Sequence, residues 1–210
     1  MSAEILLSGY AKDTHQLAFC VYCTAIPETE RRKSHDLEHL TAHDLLGAAL
    51  LEDFGLRHVK ITRRGLEKPA LLHENLHMNL SHCKGLAIAA AGRIPLGIDC
   101  ERPRTVKDKL LDKLCTPQEA AFIRAAEDKS LAFVRFWTLK EAYGKLTGRG
   151  IREPFDQLDF SFSGGGITFA HPDAGKLMFF QLIRENQHVI ALCIPRTELT
   201  IKTEYDILRG

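Results

Sequence analysis

Apolar positions along the chain fall into two recurring patterns. Glu4–Tyr10 and Gln16–Ile26 are dense in residues that suit half-buried strands. From Ser34 to Phe54 the rhythm changes: Leu37, Leu40, Leu45, Ala48, Leu51 and Phe54 recur at threes and fours, which predicts an amphipathic helix ended by Gly55. Val59–Thr62, His77–Ser81, Leu86–Ala91 and Leu96–Glu101 then read as short strands, with a turn near Gly92–Leu96. Beyond it, Thr116-Pro117-Gln118-Glu119 supplies a cap, a proline at the first helical position and a glutamate at the third, so a helix runs to about Asp128. Ser130–Leu146 is a further helix stopped by Gly148 and Gly150. Strands follow at Leu158–Phe162, Ile167–Ala170, Leu177–Ile183, Val189–Ile194 and Leu199–Glu204. Element order predicts an α+β fold of two similar halves packed together, residues 1–95 and 96–210.

Composition narrows the class. The chain has 210 residues, 45% hydrophobic and 26% charged, an ordinary globular make-up. Lys plus Arg number 28 and Asp plus Glu 27, a net charge of +1. A nucleic-acid partner normally demands a clear basic excess, so anion binding here must be local. The apolar run Gly85–Ala91 is far too short to cross a membrane, and Met1–Ile5 lacks the basic start of a signal peptide. Six cysteines sit mostly within apolar segments, as reduced thiols do. The expectation is a cytoplasmic protein with no membrane and no nucleic-acid partner.

Four constellations could carry chemistry. In Gly97-Ile98-Asp99-Cys100-Glu101 the strand alternation turns Asp99 and Glu101 to one face. Paired carboxylates need solvent, a basic neighbour such as Arg102 or Arg104, or a hard cation such as Mg²⁺. In Trp137-x-x-Lys140-Glu141-x-x-x-Lys145 the last two residues are helical neighbours, worth about 0.2–0.5 kcal/mol if merely a solvated ion pair. Their stretch is apolar nearly all round, which suggests that Lys140 and Glu141 line a site. Asn79-x-Ser81-His82 offers a hydroxyl and an imidazole for a phosphate, or simply closes a hairpin. Arg31-Arg32-Lys33, Arg63-Arg64 and Lys68-Pro69 are basic, each alone compatible with a wet surface. Cys20-x2-Cys23 followed by His35-x3-His39 mimics zinc-finger spacing, but the cysteines lie in a core-like run, and buried thiols beside a surface histidine stripe are the favoured reading.

Taken in order, Lys68-Pro69, Asn79-x-Ser81-His82, Gly97-Ile98-Asp99-x-Glu101 and Trp137-x-x-Lys140-Glu141-Ala142-x-x-Lys145-x-x-Gly148 resemble a 4′-phosphopantetheinyl transferase of the surfactin-synthetase-activating type. The resemblance implies a pseudo-twofold monomer of two similar α+β halves with the active site at their interface. It implies transfer of phosphopantetheine from coenzyme A to a serine of an acyl carrier protein or peptidyl carrier domain, releasing adenosine 3′,5′-bisphosphate. By the same resemblance Asp99, Glu101 and Glu141 would hold Mg²⁺, and Glu141, Lys145 and His82 would form the catalytic set. Arg31, Arg32, Lys68, Pro69, Ser81, His82 and Lys145 would bind coenzyme A.

There are departures. His43-Asp44 stands where relatives carry Arg or Arg-Thr, Glu67 replaces a glycine before Lys-Pro, and Cys100 fills the middle of the Asp-x-Glu motif. An aspartate facing a phosphate would repel it unless His43 offsets it. Two other classes stay open: a non-catalytic coenzyme A or carrier-binding module, and another Mg²⁺-dependent nucleotide phosphoryl-group enzyme.

Overall fold

The computed structural model describes residues 3–27, 31–63, 68–73, 75–184, 188–205 and 207–209, and their side chains except at 31–35, 151, 207 and 208. The first half contains β1 (Glu4–Ala11), β2 (Leu17–Ala25), the long helix α1 (Arg31–Phe54), a small hairpin of β3 (Ile61–Thr62) and β4 (Ala70–Leu71), then β5 (His77–Cys83) and β6 (Leu86–Gly92). After β7 (Gly97–Glu101) come α2 (Asp108–Leu114), α3 (Pro117–Ala125) and α4 (Lys129–Thr147). The remaining strands are β8 (Asp159–Ser163), β9 (Gly166–Ala170), β10 (Leu177–Ile183), β11 (Val189–Pro195), β12 (Leu199–Lys202) and β13 (Ile207–Arg209).

The strands form a five-stranded sheet ordered β12-β1-β2-β6-β5 and a six-stranded sheet ordered β7-β11-β10-β13-β9-β8. Strand alternation explains how they stack. Cys20, Tyr22, Ala87, Ala89 and Ala91 point from the first sheet to Leu45, Leu46 and Ala49 of α1. Their neighbours Phe19, Val21, Ile88 and Ala90 point the other way, into a cluster with Ile98, Ile190, Leu192 and Ile194 of the second sheet. The far face of that sheet, through Val189, Ala191 and Cys193, meets Val134, Leu139 and Ala142 of α4. The layers therefore run helix, sheet, sheet, helix, and the fold is mixed α and β as expected.

Two local devices matter for the site. Gly55 ends α1 with φ +68°, its N–H and that of Leu56 bonding back to Leu51 and Leu50, which closes the orphan carbonyls of the last turn. Gly97 lets α4 settle directly on β7: a methyl group there would collide with the backbone of Ala142 and Leu146. The Thr116 cap forms as expected, with Thr116 Oγ1 accepting from Glu119 N and Glu119 Oε2 accepting from Thr116 N.

The fold departs from the sequence reading in several places. Helix α1 begins at Arg31 rather than Ser34, and α2, β4 and β13 were not foreseen. Helix α2 has seven residues and strand β4 two, too few to display a period. Strand β12 comes from the last part of the chain yet pairs with β1 at the edge of the first sheet. Among the described residues, no helix is long and apolar enough to cross a membrane.

Candidate active site

The two sheets meet edge to edge where β5 runs beside β7. Side chains of β5 stand in for ladder hydrogen bonds there. Asn79 Oδ1 accepts from Ile98 N at 2.9 Å, and Ser81 Oγ accepts from Cys100 N at 3.3 Å. Because Ile98 and Cys100 turn inward to the inter-sheet core, Asp99 and Glu101 turn outward to α4. Helix periodicity then brings Glu141 and Lys145, one turn apart, over the same strand.

The result is a compact charge network. Lys145 Nζ donates to Asp99 Oδ1 at 2.8 Å and to Ser81 Oγ at 3.0 Å, while Ser81 Oγ donates to Asp99 Oδ1 at 2.8 Å. Asp99 is only 5% exposed, and its second oxygen, Oδ2, is buried with no hydrogen-bond partner among the described residues. A buried carboxylate oxygen without a donor is expensive, so its retention points to a ligand. Arg104 lies 3.5 Å from Glu101, and Trp137 lines the same cleft.

Burial pushes the Glu141 carboxyl up to about 7, and the negative charges of Asp99 and Glu101 add to the rise against the pull of Lys145. Burial and Asp99 likewise raise Glu101. For Lys145 burial is the largest influence and lowers the value, but the charge and hydrogen bond of Asp99, with smaller help from Cys100 and Glu141, together hold the ammonium above its usual range. These shifts describe a desolvated cluster carrying more anionic than cationic groups, the arrangement that hard cations relieve. As they stand, no three such side chains among the described residues converge closely enough to be a finished metal cage.

Two clefts open on this network. The smaller, of about 300 Å³, is polar and is lined by Ser81, Asp99, Glu101, Arg104, Trp137 and Glu141, among others. The larger, of about 460 Å³, runs between α1, β5 and the end of α4. Lys68, Pro69 and Asn79 contribute to it, and Leu80, His82 and Lys145 belong to both clefts. Lys68 Nζ donates to Leu96 O at 2.7 Å, and burial together with Lys145 lowers its ammonium to about 8. His82 Nδ1 lies 3.5 Å from Glu38 of α1.

The structure thus brings together Lys68, Pro69, Ser81, His82, Asp99, Glu101, Glu141 and Lys145. The side chains of Arg31 and Arg32, at the start of α1, lie outside the described residues. Lys140 is a correction. It is fully buried on the far side of α4, donating to Leu114 O and Phe155 O and pairing with Glu119, so it lines no cleft. Asp44 is exposed and absent from the cleft wall, whereas His43 lines it. Glu67 lies outside the described residues.

Cys20 and Cys23 join different cores on opposite faces of β2, so they do not form a zinc site together. All six cysteines are free thiols. Residues to which sequence reasoning gave no site role also reach the larger cleft: His39 and Arg63, read as surface, and Arg149 and Arg152, left unassigned. The last two flank Gly150 just past the helix stop, and that placement beside two glycines was the available signal.

Residues 95–193 match the family described as the 4′-phosphopantetheinyl transferase superfamily. The 4′-phosphopantetheinyl transferase HetI of Nostoc sp. is 37% identical over 102 residues, 44% of this chain and 43% of that protein. The holo-[acyl-carrier-protein] synthase of Dechloromonas aromatica is 38% identical over 69 residues, 33% of this chain and 50% of that protein. The 4′-phosphopantetheinyl transferase Sfp of Bacillus subtilis is 25% identical over 101 residues, 47% of this chain and 45% of that protein. The resemblance drawn from the motifs, to this superfamily and to its surfactin-synthetase-activating type, is borne out. The chain spans half or less of the length of each of these curated relatives.

Proposed function

We propose that the protein is a Mg²⁺-dependent 4′-phosphopantetheinyl transferase with holo-[acyl-carrier-protein] synthase activity. It moves the phosphopantetheine arm of coenzyme A onto a serine of an apo acyl carrier protein or peptidyl carrier domain, and adenosine 3′,5′-bisphosphate leaves. The observation that carries this reading is the junction of the two clefts. A long cationic cleft leads past His82 and Lys145 into a short acidic one, which suits a nucleotide whose diphosphate lies at the boundary.

In this reading Lys68, Pro69 and the first turn of α1, with Arg31 and Arg32, take the nucleotide end of coenzyme A. His82 and Lys145 bind the diphosphate oxygens, and Lys145 then stabilises the charge that gathers on the leaving bisphosphate. Glu141 receives the proton of the carrier serine, directly or through water, as its oxygen attacks the phosphorus. Asp99, Glu101 and Glu141 fit Mg²⁺: they are hard oxygen donors, and Asp99 Oδ2 is buried and has no partner among the described residues. When bound, the cation would neutralise the phosphate oxygens around the attacked phosphorus.

The reading extends to the whole molecule as a pseudo-twofold monomer, its halves 1–95 and 96–210 meeting at the site, working in the cytoplasm where its free thiols stay reduced. The test is incubation with Mg²⁺, coenzyme A and an apo carrier, followed by intact mass. A gain of one phosphopantetheine on the carrier is expected. Coenzyme A binding without transfer to any of a panel of fatty-acid, polyketide and peptide-synthetase carriers would overturn the enzymatic assignment, and hydrolysis without transfer would favour a phosphatase.

A further inference from the structure

One buried acid near the clefts has no part in that mechanism. Glu38 lies on α1, 6% exposed, four residues before the cleft-lining Ala42 and beside the stripe of His39 and His43. Its Oε2 comes within 3.5 Å of Nδ1 of His82, which lies across the cleft on β5. Nδ1 itself is inaccessible to solvent, and the His82 ring lines both clefts. The His39 ring stands 6.0 Å from the His82 ring, edge-on, and packs with His43 at 4.6 Å.

We propose that Glu38 is a positioning residue that holds His82 in the orientation and the cationic form that accepts the diphosphate of coenzyme A. The inference rests on the function proposed above. A neutral imidazole with its single proton on Nδ1, facing Glu38, presents a bare Nε2 lone pair to the cleft. That lone pair repels a phosphate oxygen. A doubly protonated ring turns one positive N–H edge to the Glu38 carboxylate, 3.5 Å away, and can offer the other to a phosphate, so both anions face a cation. A carboxylate behind the ring therefore selects the form that an anionic ligand needs, much as carboxylates behind metal-bound histidines fix the tautomer and the ring plane. Because Glu38 sits on α1 and His82 on β5, the pair also ties the helix that carries Arg31 and Arg32 to the strand that carries Ser81.

The test uses the full chain with Glu38→Gln, Glu38→Ala and His82→Ala, and the double variant Glu38→Gln/His82→Ala. Transfer kinetics are measured with Mg²⁺ and an apo carrier, and coenzyme A binding by calorimetry. Glu38→Gln should raise both the KM and the Kd for coenzyme A about tenfold with kcat changed less than about twofold, a loss of ground-state binding. In the His82→Ala background the same substitution should add less than about twofold, because the residue through which it acts is gone. Glu38→Asp should restore at least part of the affinity. If Glu38→Ala melts early, the isosteric glutamine still decides the matter. Unchanged KM and Kd in Glu38→Gln, or an equal penalty with and without His82, would overturn the inference while transfer by the wild type keeps the function standing. A wild-type protein that neither binds coenzyme A nor modifies a carrier would overturn both.

Discussion

Helix α4 carries two lysine–carboxylate systems five residues apart, and the contrast between them separates a tie from a site. Lys140 is fully buried and uses all three of its protons, on Leu114 O at 2.9 Å, on Phe155 O at 2.6 Å and on Glu119. Glu119 in turn accepts from Thr116 N and from Phe160 N, both at 2.9 Å, so the pair joins α3, α4 and β8 with no polar atom to spare. Among the described residues Lys145 donates to Ser81 and Asp99, which leaves one proton for the cleft, and Asp99 retains a buried oxygen without a partner. Both lysines belong to one motif on one helix. Satisfaction of every donor and acceptor marks the first as architecture, and the unmet groups mark the second as a place for a ligand.

Breaking the tie should show in stability first. Lys140→Met leaves the Glu119 carboxylate buried without its cation and should cost about 3–5 kcal/mol of unfolding free energy by urea denaturation. A further Glu119→Leu exchange should restore only part of this, because Thr116 N and Phe160 N lose their acceptor as well. A loss below about 1 kcal/mol in the single variant would mean that the pair is incidental.

Breaking the site should show in turnover first. Glu141→Gln removes a carboxylate from a desolvated acidic cluster, so the urea midpoint should stay level or rise. Loss of the proton acceptor should lower kcat about 10³-fold, roughly 4 kcal/mol of barrier. Turnover within tenfold of wild type would remove Glu141 from the base role. Asp99→Asn keeps the shape but halves the hold on a cation, and the Mg²⁺ concentration for half-maximal rate should rise about 10–100-fold. An unmoved Mg²⁺ titration would show that Asp99 Oδ2 faces no metal.

This contrast also explains what the sequence could disclose. Asp99 and Glu101 were legible because strand alternation alone puts them on one face, and Glu141 and Lys145 because helical spacing does the same. Lys140 was misread because periodicity says which residues share a face but not which face meets the core when a helix is apolar nearly all round. The cap at Thr116 and the stop at Gly55 were legible from local chemistry. The stacking of two sheets, the return of β12 to the first sheet, and the approach of Glu38 to His82 were not. Each joins residues far apart in the chain through tertiary packing that no short window encodes. Asn79 and Ser81 show the mixture best: their motif was visible, but their use as hydrogen-bond substitutes between two sheet edges needed the fold.

Lys68 offers the finest division between tie and site, since it does some of both. Its ammonium donates to Leu96 O, like Lys140, yet it lines the larger cleft, like Lys145. Burial first, and the charge of Lys145 second, lower it to about 8 from 10.5. The sign follows directly. Below about pH 8 the group is charged and can attract a phosphate; as pH rises through 8 that attraction is lost. Its effect on stability runs the other way: the unfolded chain holds this proton more tightly, so the group disfavours the fold below pH 8, and the penalty fades between about 8 and 10.5. If Lys68 serves the ligand, kcat/KM for coenzyme A should fall several-fold between pH 7.5 and 9, and Lys68→Met should flatten that limb while lowering its plateau about tenfold, the order of one charge-assisted contact. If it serves only the fold, the variant should keep the wild-type profile and lose only stability, which would move Lys68 to the same side of the comparison as Lys140.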